Sequence, residues 1–233
     1  MEYGSLYLIP NYLGKDSTHE FNNSTKSIIN EISYFVFENE KSGRAFVKAV
    51  SPTKNQSTLI IKTLNKFTVK REIKSFLEPC MNGNNIGLIS DAGCPAIADP
   101  GADLISIAHQ MKIKVKPIVG PSSIFLALMA SGMNGQNFMF NGYLSIDKKE
   151  RKEQIKLLEK KSNCTTQIFM ETPYRNDNLI VDLLSYLKPL TKLCIATDIT
   201  LENELIKTEL IRDWKKNKII YKKRPSIFLI QSD

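Results

Sequence analysis

Short apolar runs alternate with amphipathic stretches of helical length along the whole 233-residue chain, and this alternation restricts the fold more than any other feature. The runs at 5–9, 34–37, 86–89, 114–118, 138–143, 166–170, 193–197 and 226–230 have strand length. Stretches at 24–32, 69–81, 102–111, 122–131, 148–160 and 176–187 read as helices. The pattern predicts an α/β fold. Gly120-Pro121 interrupts it near the middle and the alternation then restarts, so two α/β lobes are expected, 1–118 and 119–233, with a ligand cleft between them.

Composition narrows the class. A hydrophobic share of 42% with 24% charged residues argues against disorder and coiled coil. The apolar run 124–130 is far too short to span a bilayer, and Met1-Glu2-Tyr3-Gly4 begins no signal peptide, so the cytoplasm is the expected location. Cys80, Cys94, Cys164 and Cys194 are widely spaced without a CxxC pair, and His19 and His109 are the only histidines. A structural metal, a disulfide framework and a Cys/His dyad are therefore not expected. A net charge of +8 suits an anionic partner. Lys148, Lys149, Arg151 and Lys152 form one basic group and Lys215, Lys216, Lys218, Lys222, Lys223 and Arg224 another. Both fit phosphate contact or plain solvated faces.

The stretch GLISDAGCPAIADPG, 87–101, places two aspartates among small residues directly after a strand. Ligands of open α/β sheets bind beyond the carboxyl ends of strands, and small side chains let them approach the backbone. Asp99 before Pro100 reads as a helix N-cap with proline at the first helical position. Asp91 lacks that explanation and reads either as an Asx-turn residue or as a ligand contact. Gly120-Pro121-Ser122-Ser123 is a second strand-to-helix turn, suited to capping or to polar ligand contact. Glu171-Thr172-Pro173-Tyr174-Arg175 forms a third polar cluster at a strand's carboxyl end. The phosphate loop GxxxxGK[ST], GxGxxG, GxSxG and HExxH are all absent, which removes familiar kinases and hydrolases.

Together LYLIPNYLGK (6–15), LISDAGCPAIADPG (88–101), VGPSSIFLALMASG (119–132), FMFNGYL (138–144), METPYR (170–175) and ATDITLENE (196–204) resemble the tetrapyrrole methylase superfamily. Within it the chain is most similar to the branch that methylates a cytidine 2′-oxygen of small-subunit (16S) ribosomal RNA. The resemblance implies a two-lobed, homodimeric methyltransferase with S-adenosyl-L-methionine in the interlobe cleft and ribosomal RNA or the small subunit as partner. It assigns Ser90, Asp91, Gly93, Cys94, Ser122, Ser123, Thr172 and the backbone near Pro10 to the cofactor, with Thr197 and Pro225 near its adenine. Cys94 stands where relatives usually carry threonine, and 38–44 departs from their usual EDTR-like run. The chain also ends at Asp233, where many relatives continue into a small further domain.

Methyl transfer mainly requires alignment of the incoming oxygen, and Glu38, Asn39 or Lys48 are the candidates to assist departure of its proton. Two alternatives stand beside RNA methylation. One is C-methylation of a tetrapyrrole, although such enzymes show GxGxGD where this chain has Pro10-Asn11-Tyr12-Leu13-Gly14-Lys15. The other is a cofactor-binding module without catalysis.

Overall fold

A computed structural model describes residues 2–14, 21–216, 221 and 223–232; Lys15, His19, Lys218 and Lys222 lie outside the described residues. The fold is α/β, as the alternation predicts. The chain divides into two compact units, Met1–Ser122 and Ser123–Asp233.

In the first unit the elements are β1 (Ser5–Ile9), α1 (Asn23–Glu31), β2 (Tyr34–Phe37), α2 (Glu40–Val50), β3 (Ile60–Thr63), α3 (Lys70–Ile73), α4 (Glu78–Met81), β4 (Ile86–Ile89), α5 (Gly101–Gln110) and β5 (Lys114–Pro117). Its sheet has the order β3-β2-β4-β1-β5, and every strand pair is parallel. Alternate strand residues feed two cores. Ile9, Phe35 and Phe37 pack with Ile29, Phe46 and Val47 of α1 and α2. Leu6, Val36 and Leu88 pack with Ile73, Cys80, Leu104 and Ala108 of α3 to α5. Right-handed crossovers explain the split: β1 to β3 step one way across the sheet and β3 to β5 step back, so their helices cover opposite faces. The parallel order also brings all five carboxyl ends to one edge. Connections from neighbouring β1 and β4 leave in opposite directions there, which makes the crevice beyond them a topological switch point.

The second unit holds α6 (Ser123–Ser131), β6 (Phe138–Tyr143), α7 (Lys148–Lys161), β7 (Thr166–Glu171), α8 (Asn176–Tyr186), β8 (Lys192–Thr197), β9 (Leu205–Leu210), α9 (Ile211–Trp214) and β10 (Ser226–Gln231). Its sheet runs β6-β7-β10-β8-β9 and is mixed, with only β6 and β7 parallel. Phe169 and Phe228 stack at 5.9 Å within its core, and the buried Trp214 indole donates to the Leu193 carbonyl at 2.8 Å.

Several local features differ from the sequence expectations. β3 and β9 were not anticipated. Both are edge strands with partly exposed, lysine-containing sequences, IIKT and LIKTEL, which lack an apolar run. The helix expected at 69–81 is broken into α3, a 3-10 turn and α4, because Pro79 has no N–H to continue an α ladder. α2 was also missed, and Gly43 inside it has a packing reason: a Cβ there would lie 2.3 Å from Cγ of the Phe37 ring. Finally, Pro100 rather than Asp99 occupies the N-cap of α5, as the next section describes.

Among the described residues, no helix is long and apolar enough to cross a membrane, and no group of three potential ligands from His, Cys, Asp and Glu could hold a metal ion.

Candidate functional site

The carboxyl-end loops of β1, β4 and β5 interlock within the first unit. Asn11 is their joint. It is 1% exposed, exchanges backbone hydrogen bonds with Gly93 at 2.9 and 3.1 Å, and donates through its carboxamide to the Ser90 carbonyl at 2.8 Å and the Asp91 carbonyl at 3.1 Å. Gly93 has φ +66°, a conformation that favours glycine. Gly120 meets a tighter limit: a Cβ would stand 2.5 Å from Cβ of Pro10, so only glycine lets the β5 loop close onto the β1 loop. Cys94 ties the same loops together, its thiol donating to the Pro121 carbonyl at 3.5 Å. Burial pushes that thiol's pKa up, which keeps it protonated and lowers its reactivity.

The two aspartates of 87–101 separate clearly. Asp99 is half-buried, and its Oδ1 accepts from Ala96 N at 2.8 Å and Gly101 N at 2.7 Å. It therefore serves the first helical N–H of α5 from one position earlier than a regular N-cap. It also fixes the preceding turn, where Ala96 and Ala98 adopt φ of 68° and 62°. Burial raises its pKa, against the lowering effect of the two N–H bonds. Asp91 is exposed, and its carboxylate has one protein partner among the described residues, the Ser42 hydroxyl. Ser90 is 5% exposed and its hydroxyl donates to the Gly93 carbonyl at 2.8 Å, so its side chain shapes the loop from inside.

The three residues considered for proton removal fall in different places. Glu38 lies at the end of β2, where Oε2 accepts from Asp91 N at 3.3 Å. Its pKa is raised, first by burial and then by the negative charges of Asp91 and Asp99, although the Asp91 N–H opposes the shift. Asn39 is the N-cap of α2, and its Oδ1 accepts from Lys41 N at 2.9 Å and Ser42 N at 3.2 Å. That structural task accounts for its side-chain oxygen. Lys48 sits in the last turn of α2, exposed, about 12 Å along the helix axis from Glu40 by the 1.5 Å rise per residue. The fold thus brings Glu38 to Asp91, while Lys48 stands in the last turn of α2.

A cavity of about 450 Å³ opens beside Asp91. Asn11, Tyr12, Leu13, Lys41, Ser42 and Ala92 contribute to its lining. Asn11, Lys41 and Ser42 were not singled out from sequence. An asparagine immediately after a strand-ending Ile-Pro was the available signal for the first.

In the second unit, polar groups at the strand ends satisfy one another. Glu171 is 5% exposed and binds the Arg175 guanidinium, while the Thr172 hydroxyl accepts from Arg175 Nε at 3.2 Å. Thr197 is fully buried and donates to the Leu205 carbonyl at 3.2 Å. Pro225 is exposed, and its carbonyl accepts from Asp198 N at 3.0 Å. Arg224 pairs with Asp198 at 2.6 Å. Ser122 and Ser123, at the boundary of the units, have no side-chain hydrogen bond among the described residues.

One basic group changes character. Arg151 is buried, its guanidinium bound to Asp182 at 2.7 Å and to the Ser145 and Ile146 carbonyls at 3.1 and 2.9 Å. It is a structural cation of α7 and is unavailable to a phosphate partner. Lys148 and Lys149 remain exposed.

The family profile of the Tetrapyrrole (Corrin/Porphyrin) Methylases matches residues 33–214, most of both units. The chain belongs to the tetrapyrrole methylase family. Among curated relatives in this family, it is 34% identical to the ribosomal RNA small subunit methyltransferase I of Buchnera aphidicola subsp. Schizaphis graminum (strain Sg), over 73% of this chain and 61% of that protein. It is 30% identical to the same-named protein of Buchnera aphidicola subsp. Acyrthosiphon pisum (strain APS), over 94% of this chain and 76% of that protein. The chain therefore spans 61% and 76% of the lengths of these two relatives. The fold is shared with the methyltransferase CobJ, at TM-score 0.64 and 12% identity over 100% of this chain and 95% of that one. It is also shared with cobalt precorrin-4 methyltransferase CbiF, at TM-score 0.61 and 11% identity over 97% and 94%.

Proposed function

We propose that this chain is an S-adenosyl-L-methionine-dependent methyltransferase of the cytoplasm that methylates a cytidine 2′-oxygen in small-subunit ribosomal RNA. The observation that carries the cofactor reading is the joined set of strand-end loops at the switch point of the first sheet. Gly93 and Gly120 leave no side-chain bulk there, and Asp91 retains a carboxylate oxygen without a protein partner among the described residues. This chemistry fits the cofactor. The Asp91 carboxylate suits hydroxyl or ammonium groups, backbone amides suit a carboxylate, and the bare backbone suits close approach. Pro10, Asp91, Gly93, Cys94, Ser122 and Ser123 are assigned to it, with Ser90 acting through the loop it shapes. Bound there, the cofactor supplies an electrophilic methyl group on a sulfonium.

Glu38 is the proposed acceptor for the proton of the incoming hydroxyl, because burial makes its carboxylate a better base than an exposed glutamate. The RNA substrate is supported by the names of both sequence relatives and by the +8 charge. Two copies are proposed to associate through the second unit, where Phe125 and Phe138 meet edge-to-face at 5.9 Å beside the 78% exposed Met129.

Methyl-labelled cofactor offered with small ribosomal subunits, deproteinised RNA and porphyrinoids in parallel tests the reading. Label is expected on a cytidine 2′-oxygen. Label on a porphyrinoid would replace this substrate assignment, and no transfer to any acceptor would leave a cofactor-binding module.

A further inference from the structure

The cavity beside Asp91 lies wholly within the first unit, and its walls differ in chemistry. Its volume of about 450 Å³ falls in the range of small-molecule pockets, roughly 300 to 1,000 Å³. One wall is aromatic and aliphatic: Tyr12 and Leu13 from the β1 loop, with Ala45 from α2. The Tyr12 ring is held in place, its centroid 5.6 Å from that of the buried Phe46, which in turn meets Phe21 at 5.2 Å. The preceding residue, Asn11, is locked by the bonds described above, so the aromatic wall stands on a rigid base.

Other lining residues are polar. Ser42 places its hydroxyl between the Asn39 carbonyl, at 3.0 Å, and the Asp91 carboxylate. Lys41 lines the rim, exposed, and its ammonium has no ion-pair or hydrogen-bond partner among the described residues. Nearby Arg44, by contrast, is engaged with Glu40 at 2.8 Å. A lysine ammonium and an aromatic side chain lining one cavity suit a nucleotide, which brings a phosphate and a π-face together.

A 2′-oxygen reacts only where the enzyme can surround its ribose. Proteins that act on particular nucleotides take them from the stack or bind them single-stranded, with the base on an aromatic side chain. We infer that the cavity walled by Tyr12, Leu13, Lys41 and Ser42 receives the acceptor nucleotide of a single-stranded RNA segment, with the base against Tyr12 and the adjoining phosphate on Lys41. This inference rests on the RNA reading above and adds the place where the acceptor sits. Asp91 also lines this cavity, and Glu38 accepts from its N–H at 3.3 Å, so the proposed proton acceptor lies at the same strand edge.

The test uses the full chain and two variants, Tyr12→Leu and Lys41→Gln. Lys41 is exposed, so its replacement preserves folding even if the Tyr12 variant is impaired. Three quantities are measured for each protein: KM for small ribosomal subunits in methyl transfer, calorimetric affinity for S-adenosyl-L-methionine, and anisotropy with a short pyrimidine oligoribonucleotide at two salt concentrations. The expected result is a KM raised about fivefold or more in each variant, from loss of a stacking face or a phosphate contact. Cofactor affinity should stay within twofold, and Lys41→Gln should show a shallower salt dependence than the unaltered chain. Loosened cofactor binding with unchanged KM would make the cavity part of the cofactor site and overturn the inference. Equal RNA affinity in all three proteins would overturn it too. If the unaltered chain methylates no RNA yet binds the oligonucleotide through Tyr12 and Lys41, the reaction assignment fails and the pocket stands.

Discussion

The strand-end loops of the two sheets are built from similar polar residues but use them differently. In the second unit, Glu171 holds Arg175, Arg224 holds Asp198, and Thr197 is bonded inside its sheet. In the first, backbone bonds and the Asn11 carboxamide close the loops, so Asp91 keeps one oxygen and Lys41 its whole ammonium without a protein partner. A loop that satisfies its shape through backbone and buried amide can leave charged side chains for a ligand. A loop that satisfies its shape through ion pairs has already committed them.

This contrast is broken most severely at Arg151. Its guanidinium and the Asp182 carboxylate are both nearly buried, with side-chain exposures of 10% and 5%. Arg151→Ala should cost about 3 to 5 kcal/mol, because a buried carboxylate is left without its partner. Denaturant unfolding checks this, and a loss below about 1 kcal/mol would show that the pair does not organise the second unit. An equal neutralisation at the exposed Lys148 should change stability by no more than about 0.5 kcal/mol.

Asn11 is the corresponding joint of the first unit. Asn11→Ala removes two carboxamide donations to buried or half-buried carbonyls and should cost about 1 to 3 kcal/mol. Cofactor affinity should fall with it, since the loop loses its fixed shape. Stability and affinity that both remain unchanged would mean that the β1 loop closes by its backbone alone.

Glu38 gives a smaller, pH-dependent effect. Its folded pKa lies above the ordinary 4.5, so the folded chain favours the protonated form. The resulting stability is fully present below pH 4.5 and is lost as pH rises through the raised value. Glu38→Gln should therefore gain on the unaltered chain as pH rises from 4 toward neutrality, followed by thermal unfolding at each pH. The same variant should slow methyl transfer, and full turnover would remove Glu38 from the proton-transfer step.

Much of this architecture was legible in the sequence because buried strands need continuous apolar residues. β1, β2 and β4 are such strands, and the IGLI of β4 ends directly at the Ser90-Asp91 loop. The edges were not legible: Ile60 is 50% exposed in β3, and β9 carries Lys207 and Glu209 paired at 2.7 Å. Such strands are specified by a neighbour's backbone rather than by their own hydrophobicity. Within the site, the different fates of Asp91 and Asp99 followed from local chemistry, since only Asp99 precedes Pro-Gly and a helix. Lys48 was drawn in by residue type, and only the length of α2 places it about two turns along the helix from Glu40. Asn39 and Arg151 look like active polar groups in sequence, and their cap and ion pair appear only once the helices are built.

The central claim is that the first unit's loops leave the Asp91 carboxylate for the proposed cofactor, whereas the second unit's have committed their polar groups to one another. Calorimetric titration of S-adenosyl-L-methionine into Asp91→Ala and Thr197→Val, beside the unaltered chain, tests it most directly. Asp91→Ala should weaken binding by about 1 to 3 kcal/mol, the cost of losing an important polar contact. Thr197→Val should leave affinity within about twofold, because the Thr197 hydroxyl already donates to Leu205. Unchanged affinity in Asp91→Ala, with a large loss in Thr197→Val, would contradict the account.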